Sequence, residues 1–164
     1  MVILGIDPGY AIVGTGVVNY IGNRFELLEA RAITTKAGVS FDRRLCDIYE
    51  GVERLVIEHR PAAMAIEKLF FNTNAKTAID VAQARGVIIL AAARHGVPVY
   101  EYTPLQVKQS VVGYGRAEKK QVQDMIRLLL NLTACPKPDD VADALAIAIC
   151  HAHSTGSLLR LMRR

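Results

Sequence analysis

The chain has 164 residues, of which 51% are hydrophobic and 22% are charged. This composition supplies a full core and excludes a disordered chain, and the length favours one domain over two. No segment reaches the roughly 20 uncharged apolar residues of a membrane span, and the opening residues lack the basic region of a signal peptide. The three cysteines have no metal-ligand spacing, which indicates reduced thiols. We therefore expect a cytoplasmic protein with no membrane association.

The positive charge is concentrated in the last part of the chain. The formal net charge is +4; residues 1–101 contain 11 basic and 11 acidic side chains, whereas residues 102–164 contain 9 and 5. An asymmetry of this kind is typical of proteins that bind a polyanion such as nucleic acid, although an ordinary solvated surface produces it as well.

Three strands are predicted at the start of the chain. A buried strand covers residues 2–6, and two strands rich in β-branched residues cover 12–20 and 25–34. Gly22 and Asn23, between the second and third strands, are typical of a hairpin turn. The simplest arrangement is three sequential antiparallel strands.

Helices and strands alternate from residue 40 onward. Apolar residues at steps of three and four predict a helix over 40–60, which begins at the N-cap candidate Ser40 and ends before Pro61. Further helices are predicted over residues 74–95, 104–112, 117–132 and 139–153, and short strands over 62–66 and 97–100.

This order of elements predicts an α/β fold. A hairpin meander followed by crossovers gives a five-stranded mixed sheet, with three antiparallel and then two parallel strands, flanked by helices. Residues 1–154 are expected to form this single domain, and residues 155–164 a short basic C-terminal tail.

Acidic residues follow apolar runs at points where packing gives no reason for a charge. Asp7 ends the first predicted strand and Glu67 the fourth, so both lie at one edge of the sheet if these strands are parallel neighbours. Asp140 and Asp143 are three residues apart and share one helix face. Carboxylates that converge on one cleft are typical of a Mg²⁺ site, and paired Mg²⁺ ions serve nucleases and polymerases.

Each carboxylate also has an ordinary structural interpretation. Asp7 lies in an Asp-Pro-Gly turn, and acidic residues are favoured in the first turn of any helix. Asp139 and Asp143 share a helix face as well, so spacing alone does not distinguish Asp139 from Asp140.

Five blocks in sequence resemble the RuvC family of Holliday-junction resolvases over nearly the whole chain. They are GIDPG (5–9), IEKLFF (66–71), QARGV (83–87), QVKQSVVGYGRAEK (106–119) and DDVADALAIAICHAH (139–153). The resemblance implies a ribonuclease-H-like fold and a homodimer that makes paired symmetric nicks in four-way junction DNA during homologous recombination and DNA repair. It also implies cooperation with the RuvA and RuvB branch-migration proteins.

The family's four acidic positions fall on Asp7, Glu67, Asp140 and Asp143. The resemblance thus implies that these residues are catalytic and hold two Mg²⁺ ions, with Mn²⁺ as a substitute. Asp7 would bridge the ions, and hydrolysis would leave a 5′-phosphate and a 3′-hydroxyl.

DNA binding is assigned to a different set of residues. Lys108 and Lys119 match basic positions of the family that contact DNA, and Arg116 and Lys120 extend the cluster. Phe70 matches the family's aromatic residue after the second acidic position and is expected to stack on an unpaired base. Without the resemblance, the basic residues are typical of solvated helix ends.

The helix predicted over 74–95 is a candidate dimer interface. Its second half, residues 87–93, is apolar on all sides, and Ala78, Ala82 and Gly86 permit close approach by a partner helix. A central helix buried within one monomer would give the same pattern.

Other functional classes fit the sequence less well. An Asp-Pro-Gly turn after a first strand is similar to the phosphate loop of actin-like and sugar-kinase ATPases, but those proteins need two such lobes. A non-catalytic junction-binding module would not need four carboxylates, and a nuclease for RNA–DNA hybrids would differ in substrate alone. A zinc site at His151 and His153 is disfavoured because positions i and i+2 face apart on a helix.

Overall fold

A computed structural model describes residues 1–69 and 75–161, with side chains described over 1–69 and 77–155. Within these ranges the chain forms five strands and five helices. The strands are β1 (Val2–Asp7), β2 (Ile12–Ile21), β3 (Arg24–Thr34), β4 (Ala63–Glu67) and β5 (Val99–Tyr102), and the helices are α1 (Phe41–His59), α2 (Ala75–Arg94), α3 (Pro104–Val112), α4 (Lys119–Leu129) and α5 (Asp139–Leu161).

The strands form one mixed sheet in the order β3-β2-β1-β4-β5. The pairs β1–β2 and β2–β3 are antiparallel, and the pairs β1–β4 and β4–β5 are parallel. Gly22 and Asn23 both have positive φ angles, 53° and 66°, which close the hairpin between β2 and β3 in a tight two-residue turn. The predicted fold class, including the division into antiparallel and parallel strands, is confirmed.

Helices cover both faces of the sheet. Along β1, Leu4 and Ile6 face α1 and α2, whereas Ile3 faces α5. Because successive side chains of a strand point to opposite faces, a strand covered on both sides is apolar throughout. This explains why β1 and β4 are continuous apolar runs in the sequence.

Three glycines let α5 lie unusually close to the sheet. A Cβ atom added at Gly5 would lie 2.0 Å from the carbonyl oxygen of Ala144, and one at Gly14 would lie 1.9 Å from that of Asp140. At Gly16 an added Cβ would meet the Leu145 side chain at 2.5 Å. The backbones of β1, β2 and α5 are therefore in direct contact, which fixes where the first turn of α5 stands.

Several element boundaries differ from the predicted ones. β5 begins at Val99 rather than 97, because Gly96 has a positive φ of 70° and the Val97 amide still donates to the Ala92 carbonyl at the end of α2. α4 begins at Lys119, where Glu118 and Gln121 form a capping box.

The last helix is longer than predicted. α5 continues to Leu161 instead of ending at residue 153, so the segment expected as a tail is largely helical. The hydroxyls of Ser154 and Thr155 donate to the carbonyls of Cys150 and His151, which lets these polar residues stay in a helix. None of the described helices is long and apolar enough to cross a membrane.

Candidate active site

The ends of two neighbouring strands bring Asp7 and Glu67 together. β1 and β4 are parallel, and Ile6 pairs with Ile66, so the residue that ends each strand lies beside the other. Asp7 also pairs with Gly14 of β2, and Gly14 lies against the backbone of Asp140. The strand ends and the start of α5 thus meet at one edge of the sheet, as the parallel pairing predicts.

The charges of the other three predicted carboxylates all act on Asp7. Burial raises the pKa of Asp7 to about 8, and the negative charges of Glu67, Asp143 and Asp140 act in the same direction, in that order. Lys119 acts against them. The edge of the sheet therefore carries more negative charge than its surroundings stabilise at neutral pH.

Glu67 shares this environment. Burial and then the charge of Asp143 raise the pKa of Glu67, while a hydrogen bond with Asp7 opposes the rise. A protonated Asp7 can donate that hydrogen bond to the Glu67 carboxylate. The shared proton reduces the charge repulsion between the two side chains. A cation at this point would relieve the same repulsion.

Asp139 and Asp140 have different surroundings, although spacing alone leaves them equivalent. Asp140 contributes to the field at Asp7, whereas Asp139 pairs with Lys137 at 2.9 Å and lies 3.4 Å from the Lys119 ammonium. The hydrogen bond from Lys137 and then the charge of Lys119 lower the pKa of Asp139. Asp139 thus has two lysine partners, and the choice of Asp140 as the ligand stays a prediction.

A cleft of about 240 Å³ adjoins the carboxylates between α3, α4 and α5. Its lining combines two carboxylates, two lysines and five apolar residues. Its lining comprises Glu67, Pro104, Val107, Lys108, Lys119, Val122, Asp143, Ala146 and Ile147. Negative and positive groups therefore face the same space.

Arg116 and Lys120 lie outside this lining. Arg116 is exposed on the loop between α3 and α4, and Lys120 is exposed in the first turn of α4. Phe70 lies outside the described residues. Lys108 and Lys119 are thus the predicted basic residues that the fold places next to the carboxylates.

Comparison with known proteins decides the family. The family model for crossover junction endodeoxyribonuclease RuvC matches residues 3–151. The chain belongs to the RuvC family. The RuvC of Alkaliphilus oremlandii is 58% identical over 163 residues, covering 99% of each chain, and that of Ruminiclostridium cellulolyticum is 60% identical over 161 residues, covering 97% of each.

Solved RuvC structures share the fold. A structure of Thermus thermophilus RuvC has a TM-score of 0.91 and 39% identity, with 96% of each chain covered. A structure titled T. thermophilus RuvC in complex with Holliday junction substrate has a TM-score of 0.90 and 39% identity, with 94% of each chain covered. Family membership confirms the resemblance and makes this chain an endodeoxyribonuclease.

Behind the carboxylates, this RuvC-family chain has a buried histidine that the sequence analysis considered for zinc. His151 Nδ1 shares a 2.8 Å hydrogen bond with the Tyr102 hydroxyl, and burial lowers the pKa of His151. His153 instead contacts Ser110 and the ring of Phe25. The two histidines face different partners, as expected for positions i and i+2, and His151 joins α5 to β5 beside Glu67.

Among the described residues, the group whose three ligand atoms lie close together is formed not by Asp7, Glu67, Asp140 and Asp143 but by residues that the sequence did not predict. Glu29, Glu58 and His59 hold three ligand atoms within 4.8 Å of one another. His59 Nε2 is 2.6 Å from Glu29, and Arg31 Nε is 3.0 Å from the other oxygen of the same carboxylate. Since Glu29 already has two cationic or hydrogen-bonding partners, this group is explained as a contact between β3 and α1. Glu29 lies 30 positions before His59, so no local motif reveals the group.

Proposed function

We propose that this RuvC-family chain is a metal-dependent, structure-selective nuclease that resolves Holliday junctions by paired symmetric nicks. The observation that carries this proposal is the placement of the half-buried Asp7 among Glu67, Asp140 and Asp143 at one edge of the sheet. That four-way junctions are the substrate is supported by the T. thermophilus RuvC complex with Holliday junction substrate.

The donor set fits two Mg²⁺ ions, with Mn²⁺ as a substitute. All four side chains offer carboxylate oxygens, which hard divalent cations prefer. Asp7 would hold both ions, Glu67 and Asp143 would hold one each, and Asp140 would complete the shell directly or through water. When bound, paired divalent ions activate a water molecule and stabilise the leaving 3′-oxygen of a phosphodiester.

The residues of the chain contribute charge and position. Asp7 has to lose its proton to act as a ligand, so metal binding at Asp7 and Glu67 would be accompanied by release of a proton. The close contact of Gly14 with α5 holds Asp140 against the end of β1. The products would carry a 5′-phosphate and a 3′-hydroxyl.

DNA would be held beside the carboxylates. Lys108 and Lys119 line the cleft and would bind backbone phosphates, and the exposed Arg116 and Lys120 would extend that contact along the strand. Phe70 would stack on a base at the crossover.

A homodimer would place two such sites for paired cuts. Along α2, Ala84, Ile88 and Ala91 are buried within the chain, whereas Ile79 and Leu90 are 66% and 50% exposed. An exposed apolar side on a helix whose other side is already packed supports an interface between two copies. Cooperation with RuvA and RuvB and a cytoplasmic location are proposed from the family.

Cleavage of a labelled synthetic four-way junction tests the proposal. Duplex, flap and RNA–DNA hybrid of matching sequence are tested in parallel, each with Mg²⁺ and with EDTA. We expect paired symmetric nicks in the junction alone and none in EDTA. Asp7→Asn should abolish cleavage and keep junction binding, while the matched control Asp139→Asn, whose carboxylate pairs with Lys137, should keep both.

Two results would contradict the proposal. Cleavage of the hybrid instead of the junction would change the substrate to RNA. Tight junction binding without cleavage in Mg²⁺ or Mn²⁺ would indicate a binding module.

A further inference from the structure

Lys119 lies where a cation is expected. It is the first residue of α4, and its ammonium donates a 3.0 Å hydrogen bond to Asp143 Oδ2 and lies 3.4 Å from Asp139 Oδ2. Asp143 is one of the carboxylates proposed to bind the metal. The Lys119 ammonium therefore occupies an oxygen that a divalent cation would need.

The Lys119 side chain is able to leave this position. Its side chain is 53% exposed, and it carries a compact charge on a flexible four-carbon stem. The cleft that it borders also contains Lys108, so a phosphate there would attract both ammonium groups. Asp143 and a DNA phosphate are thus alternative partners for Lys119.

We propose that Lys119 couples metal binding to DNA binding by occupying Asp143 in the absence of DNA and moving to a backbone phosphate when DNA binds. This inference rests on the proposed metal site. Whichever ligand binds first, metal or DNA, breaks the ion pair between Lys119 and Asp143. The second ligand then binds without the free-energy cost of breaking that ion pair. By linkage, DNA tightens metal binding by the same factor by which the metal tightens DNA binding.

The proposal distinguishes Lys119 from Lys108. Both are cations in the same cleft, and both would repel a divalent ion through space. Contact with a ligand oxygen is seen at Lys119, at 3.0 Å. A direct competition for Asp143 therefore predicts an effect on metal affinity at Lys119 that Lys108 does not share.

Mn²⁺ titration followed by electron paramagnetic resonance tests this in the absence of DNA. The wild type, Lys119→Met and the matched control Lys108→Met are compared, with circular dichroism as a check of folding. We expect Lys119→Met to bind Mn²⁺ about 5-fold more tightly than the wild type, as loss of a competing ion pair predicts, and Lys108→Met to change the affinity less than about 2-fold. Lys119→Arg, which keeps the charge, should stay near the wild type.

A second measurement tests the coupling itself. Junction affinity is measured in EDTA and in Ca²⁺, and the ratio of the two isolates the effect of the metal from the loss of a phosphate contact. We expect this ratio to be larger in the wild type than in Lys119→Met. Because the metal also attracts the DNA phosphates directly, Ca²⁺ should tighten junction binding to some extent in both proteins.

The outcomes separate this inference from the proposed function. Equal Mn²⁺ affinities in all proteins, or equal gains in both methionine variants, would overturn the role of Lys119 and leave the metal site intact. A wild type that binds no Mn²⁺ even at millimolar concentration would overturn the metal site and the coupling with it.

Discussion

Replacement of Asp7 by Asn tests the charge balance of the site through stability. Burial and three neighbouring carboxylates raise the pKa of Asp7 from 3.8 to about 8 in the metal-free protein. The folded state therefore holds a proton that the unfolded chain has already released between about pH 4 and pH 8. Asp7 stabilises the fold fully below this window, and that stability is lost as the pH rises through it.

The size of the effect follows from the shift. Each pKa unit corresponds to about 1.4 kcal/mol, so three pH units between pH 5 and pH 8 give about 4 kcal/mol. Water at the open side of the cluster screens part of this, and we expect about 2 kcal/mol. Because Asn carries no charge, Asp7→Asn should gain this amount over the wild type between pH 5 and pH 8.

Thermal unfolding in EDTA, followed by circular dichroism at several pH values, measures this gain. A gain of 2 kcal/mol corresponds to about 4–8 °C in Tm for a chain of this size. Asp139→Asn is the control, since Lys137 lowers the pKa of Asp139 and its carboxylate contributes stability above pH 4 instead. Saturating Mg²⁺ should restore the wild type at pH 8. A Tm difference between Asp7→Asn and the wild type that stays constant from pH 5 to pH 8 would refute this account.

Three further predictions follow from contacts in the structure. Gly14→Ala places a methyl group 1.9 Å from a carbonyl oxygen of α5, about 1.5 Å closer than an ordinary contact, so the helix must shift. We expect a loss of about 2–3 kcal/mol in denaturant unfolding together with loss of cleavage. Lys108→Ala should weaken junction binding and reduce the slope of log affinity against log salt concentration by about 0.9, the value for one phosphate contact. An unchanged slope would show that Lys108 does not contact a phosphate. Leu90→Glu should convert the dimer to a monomer in sedimentation at micromolar concentration, while Ile79→Ala should weaken the dimer less. A dimer that Leu90→Glu leaves unaffected would show that this face of α2 is not the interface.

The fold could be predicted well where local patterns decide it. Alternating and continuous apolar runs identified the strands, and the Gly22-Asn23 turn fixed the hairpin. The end of α5 could not be predicted, because Ser154 and Thr155 resemble a helix end in sequence but hydrogen-bond to the preceding turn. The start of β5 depends on how Gly96 completes the turn after α2, which no apolar pattern reports.

The candidate site could be predicted in part from topology. Parallel pairing of β1 and β4 follows from the order of elements, so the meeting of Asp7 and Glu67 was predictable. The ion pairs of Asp139 were not, since they depend on Lys119 of α4 and on Lys137 in the loop just before α5. The choice of Asp140 over Asp139 rests on the resemblance to the RuvC family and stays a prediction.

The contact between Gly14 and the Asp140 backbone has a consequence for how this protein can change over generations. Where α1 and α2 cover the sheet, side chains separate the layers, so an altered methyl group can be absorbed by neighbouring side chains. Under α5, at Gly5 and Gly14, main chain lies against main chain with no side chain between them to adjust. At these two positions even one added methyl group is transmitted to the spacing of the carboxylates.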